Sequence, residues 1–223
     1  MMRKVAFVIV PGLLGRNLSM VERLQDELEG LGKVSVFEHD HLGSVKSRSE
    51  KLAHMLERLR ASGAEKIVLL GHSLGGYIVR QLRPESLKNV AAFISLSSAP
   101  HAKHLLENVR RAKRYLTGMR RGGGRADKAF DEKNLTQKYN PRAIGPNVPT
   151  LHIRQIRDRL AMPKPWDNEQ RKKKQGHVFV VVRPEVDPTG SDVWKRHNWQ
   201  HLSTQRELIE RIKEFLKEKG IPT

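Results

Sequence analysis

The chain of 223 residues contains no cysteine. That excludes a disulfide framework, a thiol nucleophile and thiolate metal sites. At this length one α/β core that buries roughly 70% of the unfolded surface needs no such staple. No stretch approaches the roughly 18 consecutive apolar residues of a membrane span. Met1-Met2-Arg3-Lys4 before the apolar Val5 to Val10 superficially resembles a secretion signal, but the apolar run is short and no small-x-small cleavage site follows, so the run is read as a strand. These absences predict a cytoplasmic protein forming a single domain over residues 1–223. Negative charge is the scarce sign, with 24 Asp and Glu against 42 Lys and Arg, for a net charge of +18. No basic stretch is interleaved with aromatics, so the excess carries no specific nucleic-acid motif. Internal repeats are also lacking, and Gly122-Gly123-Gly124 stands outside any G-x-x-x-x-G-K-[ST] phosphate loop.

The positive charge is uneven. Residues 101–147 hold 12 Lys and Arg against four Asp and Glu, and residues 148–183 hold nine against three. Such a field draws polyanions, anionic lipid surfaces or acidic substrates, and the plainer alternative is that it only keeps the chain soluble.

Apolar runs alternate with helical patterns along the chain. Val5 to Val10 is continuous enough for a parallel strand buried on both faces. Ser19 and Glu22 have capping-box spacing, and Val21, Leu24, Leu28 and Leu31 follow with helical period until Gly32. Val34 to Phe37 reads as a second strand, and Leu52, Met55, Leu56 and Leu59 as one helical face leading to a strand at Ile67 to Leu70. A helix after Ser73 is expected to run to about Arg83, where Pro84 breaks it. Val90 to Leu96, Pro149 to Ile156 and His177 to Val182 are further strands. Thr204 and Glu207 form a capping box that opens a last helix, with Leu208, Ile209, Ile212, Phe215 and Leu216 on one face. Repeated βα units of this kind predict a mostly parallel sheet with helices on both faces.

Gly71-His72-Ser73-Leu74-Gly75 directly follows Ile67-Val68-Leu69-Leu70. A G-x-S-x-G pentapeptide between a buried strand and a helix has the pattern of a nucleophile elbow, with the serine on a strained turn and glycines on either side to relieve the crowding. A serine hydroxyl is a poor nucleophile at neutral pH, so Ser73 needs a base within hydrogen-bond reach, and imidazole suits that role. Ten histidines are present, and His197 and His201 both lie shortly before the last helix, while His101 follows the Val90 to Leu96 strand.

Val8-Ile9-Val10-Pro11-Gly12-Leu13-Leu14-Gly15, Gly71-His72-Ser73-Leu74-Gly75-Gly76, Asp158 after a late strand and His201 before the last helix together resemble the α/β-hydrolase superfamily. The likeness is nearest to its small bacterial lipases and esterases that lack the first two strands. It covers nearly the whole chain, residues 1–100 matching best. The resemblance implies a minimal, mostly parallel sheet of about six strands with helices on both faces and a cap or lid insertion at residues 101–147. It also implies a catalytic triad of Ser73, Asp158 and His201 in the family's chain order, with His197 the competing base. Asp158 would fix the tautomer of the histidine and stabilise its cation. The stretch after the preceding strand, Ser95 to Pro100, offers no carboxylate, and Asp187 and Asp192 are the fallbacks. The backbone N–H groups of Leu13 and Leu74 would form the oxyanion hole. Pro11 stands where the family commonly has histidine, which bears on the loop's supporting hydrogen bonds more than on a backbone donor.

By the same resemblance the activity is hydrolysis of small-molecule or lipid carboxylic esters through an acyl-enzyme, with no cofactor and no metal. A thioesterase or acyltransferase begins with the same intermediate. From a different class, a silent hydrolase scaffold could hold polyanions or anionic membrane through the basic middle. Leu105, Val109, Ala112 and Leu116 line one helical face there, with Lys103, Arg110, Arg111 and Arg114 elsewhere, which fits either a packed cap helix with a solvated face or a lid with an apolar underside and an outside suited to an anionic surface.

Overall fold

The structure is a computed structural model that describes residues 5–12, 19–38, 44–98, 148–155, 177–182 and 202–222. Six strands, β1 (Val5–Val10), β2 (Lys33–Val36), β3 (Lys66–His72), β4 (Val90–Leu96), β5 (Thr150–Gln155) and β6 (His177–Val182), form one sheet in the order β2-β1-β3-β4-β5-β6. Every neighbouring pair is parallel. The helices are α1 (Ser19–Glu29), α2 (Val45–Ala61), α3 (Leu74–Val79) and α4 (Leu202–Glu218), with a short 3-10 turn at Pro84–Leu87.

Strands of a parallel sheet have no solvent face, which is why β1 is buried at every position and reads as an unbroken apolar run. Its side chains alternate between two cores. Ala6, Val8 and Val10 join Ile67, Leu69 and Phe93 against Leu52, Leu56 and Leu59 of α2 and Tyr77 and Ile78 of α3. Val5, Phe7 and Ile9 join Val68, Leu70, Ile94 and Ile153 against Leu24 and Leu28 of α1 and Leu208, Ile212 and Phe215 of α4. Each such side chain, taken fully out of water, contributes about 1.5–3 kcal/mol before entropy is set against it. Lys213 Nζ donates to Glu27 Oε2 at 2.9 Å and ties α4 to α1 on that face.

The strand order fixes where a site can form. From β1 the chain passes through α1 to β2 on one side, and then returns to place β3 on the other side of β1. The helix after β1 therefore covers one face of the sheet and the helix after β3 the other. Adjacent parallel strands whose exits diverge leave a crevice at their carboxyl ends, the usual place for a ligand in an open α/β sheet.

Several boundaries differ from the sequence expectation. α3 ends at Val79 rather than near Arg83, because the chain tightens into three-residue turns, Gln81 N–H donating to Ile78 O and Leu82 N–H to Val79 O. Two glycines in a six-residue helix give it little intrinsic preference to continue. β3 runs on through Gly71 and His72, so the strand hydrogen bonds reach the elbow itself. α4 starts at Leu202, two residues before the expected cap at Thr204. The cap insertion at 101–147 lies outside the described residues. Among the described residues no helix is long and apolar enough to cross a membrane.

Candidate active site

Ser73 occupies the turn between β3 and α3 with φ 51° and ψ −118°. That backbone conformation suits glycine, and a serine held in it carries strain on the order of 1–3 kcal/mol that the surroundings must enforce. The enforcing contacts are visible. The Ser73 N–H donates to Leu96 O at the end of β4 at 2.9 Å, which hooks the turn to the neighbouring strand. A Cβ on Gly71 would run into the Gly76 main chain, and one on Gly75 would strike the Val10 carbonyl and lie 2.6 Å from Pro11 O. Only glycine lets α3 start so close to β1 and β3. Ser73 stands at the N-cap position of α3, yet its side chain does not cap the helix. The Leu74 N–H, in the first turn, has no acceptor within the helix.

The end of β1 closes against this turn. A Cβ on Gly12 would be 3.1 Å from Ser73 Cβ and 3.2 Å from His72 Nδ1, so the residue after Pro11 rests directly on the elbow. The carboxyl ends of β1 and β3 thus meet at Ser73, at the crevice that the strand order creates.

Of the residues expected at the site, Ser73 and Leu74 lie together here. Leu13, Asp158 and His201, with His197, His101, Asp187 and Asp192, lie outside the described residues. Among the described residues no group of three or more His, Asp or Glu is placed to hold a metal ion.

Two features escaped the sequence reading. Ser97, just past β4, is a second strained serine at φ 44°, and the Ser97 and Ser98 hydroxyls are buried without a hydrogen-bond partner among the described residues. Ser98 Oγ lies against Gly76, where any Cβ would collide with it. The other is a polar cluster on the α3 face, level with Gly71. Arg80 Nη2 donates to Ser95 Oγ at 3.3 Å and approaches His152 Nδ1 at 3.4 Å, with its guanidinium 5.3 Å from the centre of the Phe93 ring. A guanidinium only donates, so this contact requires Nδ1 of His152 to accept and puts the ring proton on Nε2. His152 is therefore engaged in bracing β5 to α3, and neighbouring-strand register (Gly71 to Ser95 to His152) was the signal that could have placed it.

Comparison with known proteins agrees with this fold. The sequence profile described as the alpha/beta hydrolase fold matches residues 5–122. No curated protein matches by sequence. Among solved structures, the chain is similar to a lipase-esterase related protein from Clostridium acetobutylicum, at 18% identity and TM-score 0.61 over 95% of this chain and 94% of that one. A thermophilic esterase from Thermogutta terrifontis aligns at 17% identity and TM-score 0.62, covering 96% and 90%. A Pyrococcus furiosus esterase aligns at 15% identity and TM-score 0.70, covering 96% and 82%. At such identities the likeness is one of fold.

Proposed function

Because the chain belongs to the alpha/beta-hydrolase family, we propose that it is a serine hydrolase cleaving carboxylic esters, with Ser73 as nucleophile. The observation that carries this reading is the strained backbone of Ser73 at the carboxyl end of a central strand, wedged by Gly12, Gly71 and Gly75. Strain of that kind persists where its cost has a use, and here it lifts one hydroxyl out of the sheet at the crevice.

In the proposed reaction His201 removes the Ser73 proton as Oγ bonds to the ester carbonyl carbon. Asp158 orients the imidazole and stabilises the cation formed. The carbonyl π electrons move onto oxygen, which the amides of Leu13 and Leu74 hold, each donor being worth on the order of a hundredfold in rate. Collapse of the tetrahedral species expels the alkoxide, which takes the proton from His201. Water repeats the sequence on the acyl-enzyme and releases the acid with Ser73 regenerated. The basic segment 101–147 would add affinity for an anionic lipid surface, a property tested by comparing binding to anionic and neutral vesicles at low salt.

The test is hydrolysis of p-nitrophenyl acetate, butyrate and octanoate. Ser73→Ala is expected to lower kcat by roughly a thousandfold or more on the best substrate, with the melting temperature unchanged or raised. Turnover of all esters at the wild-type rate by Ser73→Ala contradicts the assignment. Preferential turnover of a thioester redirects the substrate class while leaving the nucleophile in place.

A further inference from the structure

We propose that His72 is a positioning residue for the proposed acyl-transfer site: its buried imidazole is the seat on which Gly12, just past β1, rests. The inference rests on the serine hydrolase reading and goes beyond it by giving a role to the residue before the nucleophile. Three observations carry it.

The side chain is on the face where no polar group is otherwise called for. Val68 and Leu70 of β3 belong to the apolar core under α1 and α4, and His72 continues the same alternation while only 2% exposed. A leucine there would extend the core at no polar desolvation cost, whereas taking a polar group such as an imidazole out of water costs about 1–3 kcal/mol before its interactions are counted.

Gly12 is held by two consecutive residues of the elbow. A Cβ at Gly12 would be 3.2 Å from His72 Nδ1, 3.5 Å from His72 O and 3.1 Å from Ser73 Cβ. The chain leaving β1 therefore lies close against both the imidazole edge and the nucleophile's own side chain, so that a methyl on Gly12 would have to push one of them back. The ring and the Ser73 side chain together set where that chain stands at the elbow.

The third point is chemical. The amide bonded to the Gly12 carbonyl is the proposed second oxyanion donor, and such a donor works within about 2.7–3.1 Å of the oxyanion. A misplacement of about 1 Å costs on the order of a hundredfold in rate. Removing the imidazole leaves a gap beside Gly12 into which the end of β1 settles, and the amide bonded to Gly12 shifts with it.

The experiment is a double-mutant cycle read with p-nitrophenyl butyrate, using His72→Ala, His72→Asn, Gly12→Ala and the doubles. His72→Ala is expected to lower kcat by about 10- to 100-fold with KM changed less than about threefold, and His72→Asn, which keeps a polar atom near the Nδ1 position, to recover a good part of the loss. Gly12→Ala is expected to lower kcat by about tenfold or more in the wild-type background. In the His72→Ala background the contact with the imidazole is gone while that with Ser73 Cβ remains, so the same substitution is expected to cost less, by about threefold or more. Equal costs of Gly12→Ala in both backgrounds, or kcat within about twofold of wild type for both His72 variants, overturn the proposal. If His72→Ala fails to fold, the cycle is run with His72→Asn and equal costs overturn it in the same way. Covalent labelling of wild-type Ser73 by a fluorophosphonate is measured alongside. Absence of label counts against the serine hydrolase reading itself, a result distinct from a label with unaffected His72 variants.

Discussion

Gly75→Ala tests the close approach that builds the elbow. The added Cβ would point into the Val10 carbonyl, 2.6 Å from Pro11 O and 2.6 Å from Val10 C. These are backbone atoms at the end of a strand hydrogen-bonded on both sides, so no rotamer change relieves the clash. Restoring an ordinary separation of about 3.5 Å from the Val10 carbonyl oxygen, the nearest atom, requires α3 and β1 to part by about 1.5 Å. Overpacking of this sort costs about 1–3 kcal/mol. For a chain of this length each kcal/mol is worth about 2–4 °C, so the melting temperature is expected to fall by about 2–12 °C. Activity should fall further than stability, because the displaced helix carries Ser73 and Leu74 at its start, and a shift of about 1 Å is worth on the order of a hundredfold in kcat. Gly30→Ala is the control: its Cβ meets nothing within 4 Å, and it is expected to leave activity unchanged and stability unchanged or raised by about 0.5 kcal/mol. Thermal melts followed by circular dichroism, with p-nitrophenyl butyrate hydrolysis on the same preparations, check both. A Gly75→Ala protein that melts within about 1 °C of wild type and hydrolyses at its rate would refute the reasoning.

Other parts of the fold give smaller, separable effects. Ser44 Oγ accepts the Ser47 N–H at 3.1 Å and caps α2, so Ser44→Ala is expected to cost about 1 kcal/mol in urea unfolding with activity retained. The Glu27 carboxyl is held below its ordinary range chiefly by the hydrogen bond from Lys213, against a smaller opposing effect of burial. A depressed folded-state value means that the pair stabilises the protein above the ordinary glutamate range and loses that contribution as the pH falls through the folded value. Lys213→Ala is accordingly expected to destabilise by no more than about 1 kcal/mol at pH 7, since both side chains are partly exposed, and to approach wild type once the pH has fallen below the folded-state value.

What was legible in the sequence was whatever is written in consecutive residues. Val5 to Val10 and Val90 to Leu96 could be read as strands because burial on both faces makes an unbroken apolar run. The elbow could be read because strand, glycine, serine and helix follow one another without a gap. The early end of α3 was not legible: the chain tightens into three-residue turns at Gln81 and Leu82, and the helical pattern through Leu82 hides it. Nor was the Arg80 cluster, whose partners are 15 and 72 residues away in the chain and meet only through sheet register. The strain at Ser97 is likewise a property of the packed turn, since serine itself gives no sign of a positive φ. The closeness of Gly12 to His72 needed the β1 and β3 ends to be side by side, which follows from the strand order and not from either motif.

The central claim is that Ser73 is a nucleophile. It is tested most directly by treating the intact protein with a fluorophosphonate and locating the adduct by mass spectrometry of its peptides. The account predicts a single phosphonate per chain, on Ser73, abolished in Ser73→Ala and formed in step with the loss of esterase activity. An unmodified chain, or an adduct on a different serine that still forms in Ser73→Ala, would contradict it.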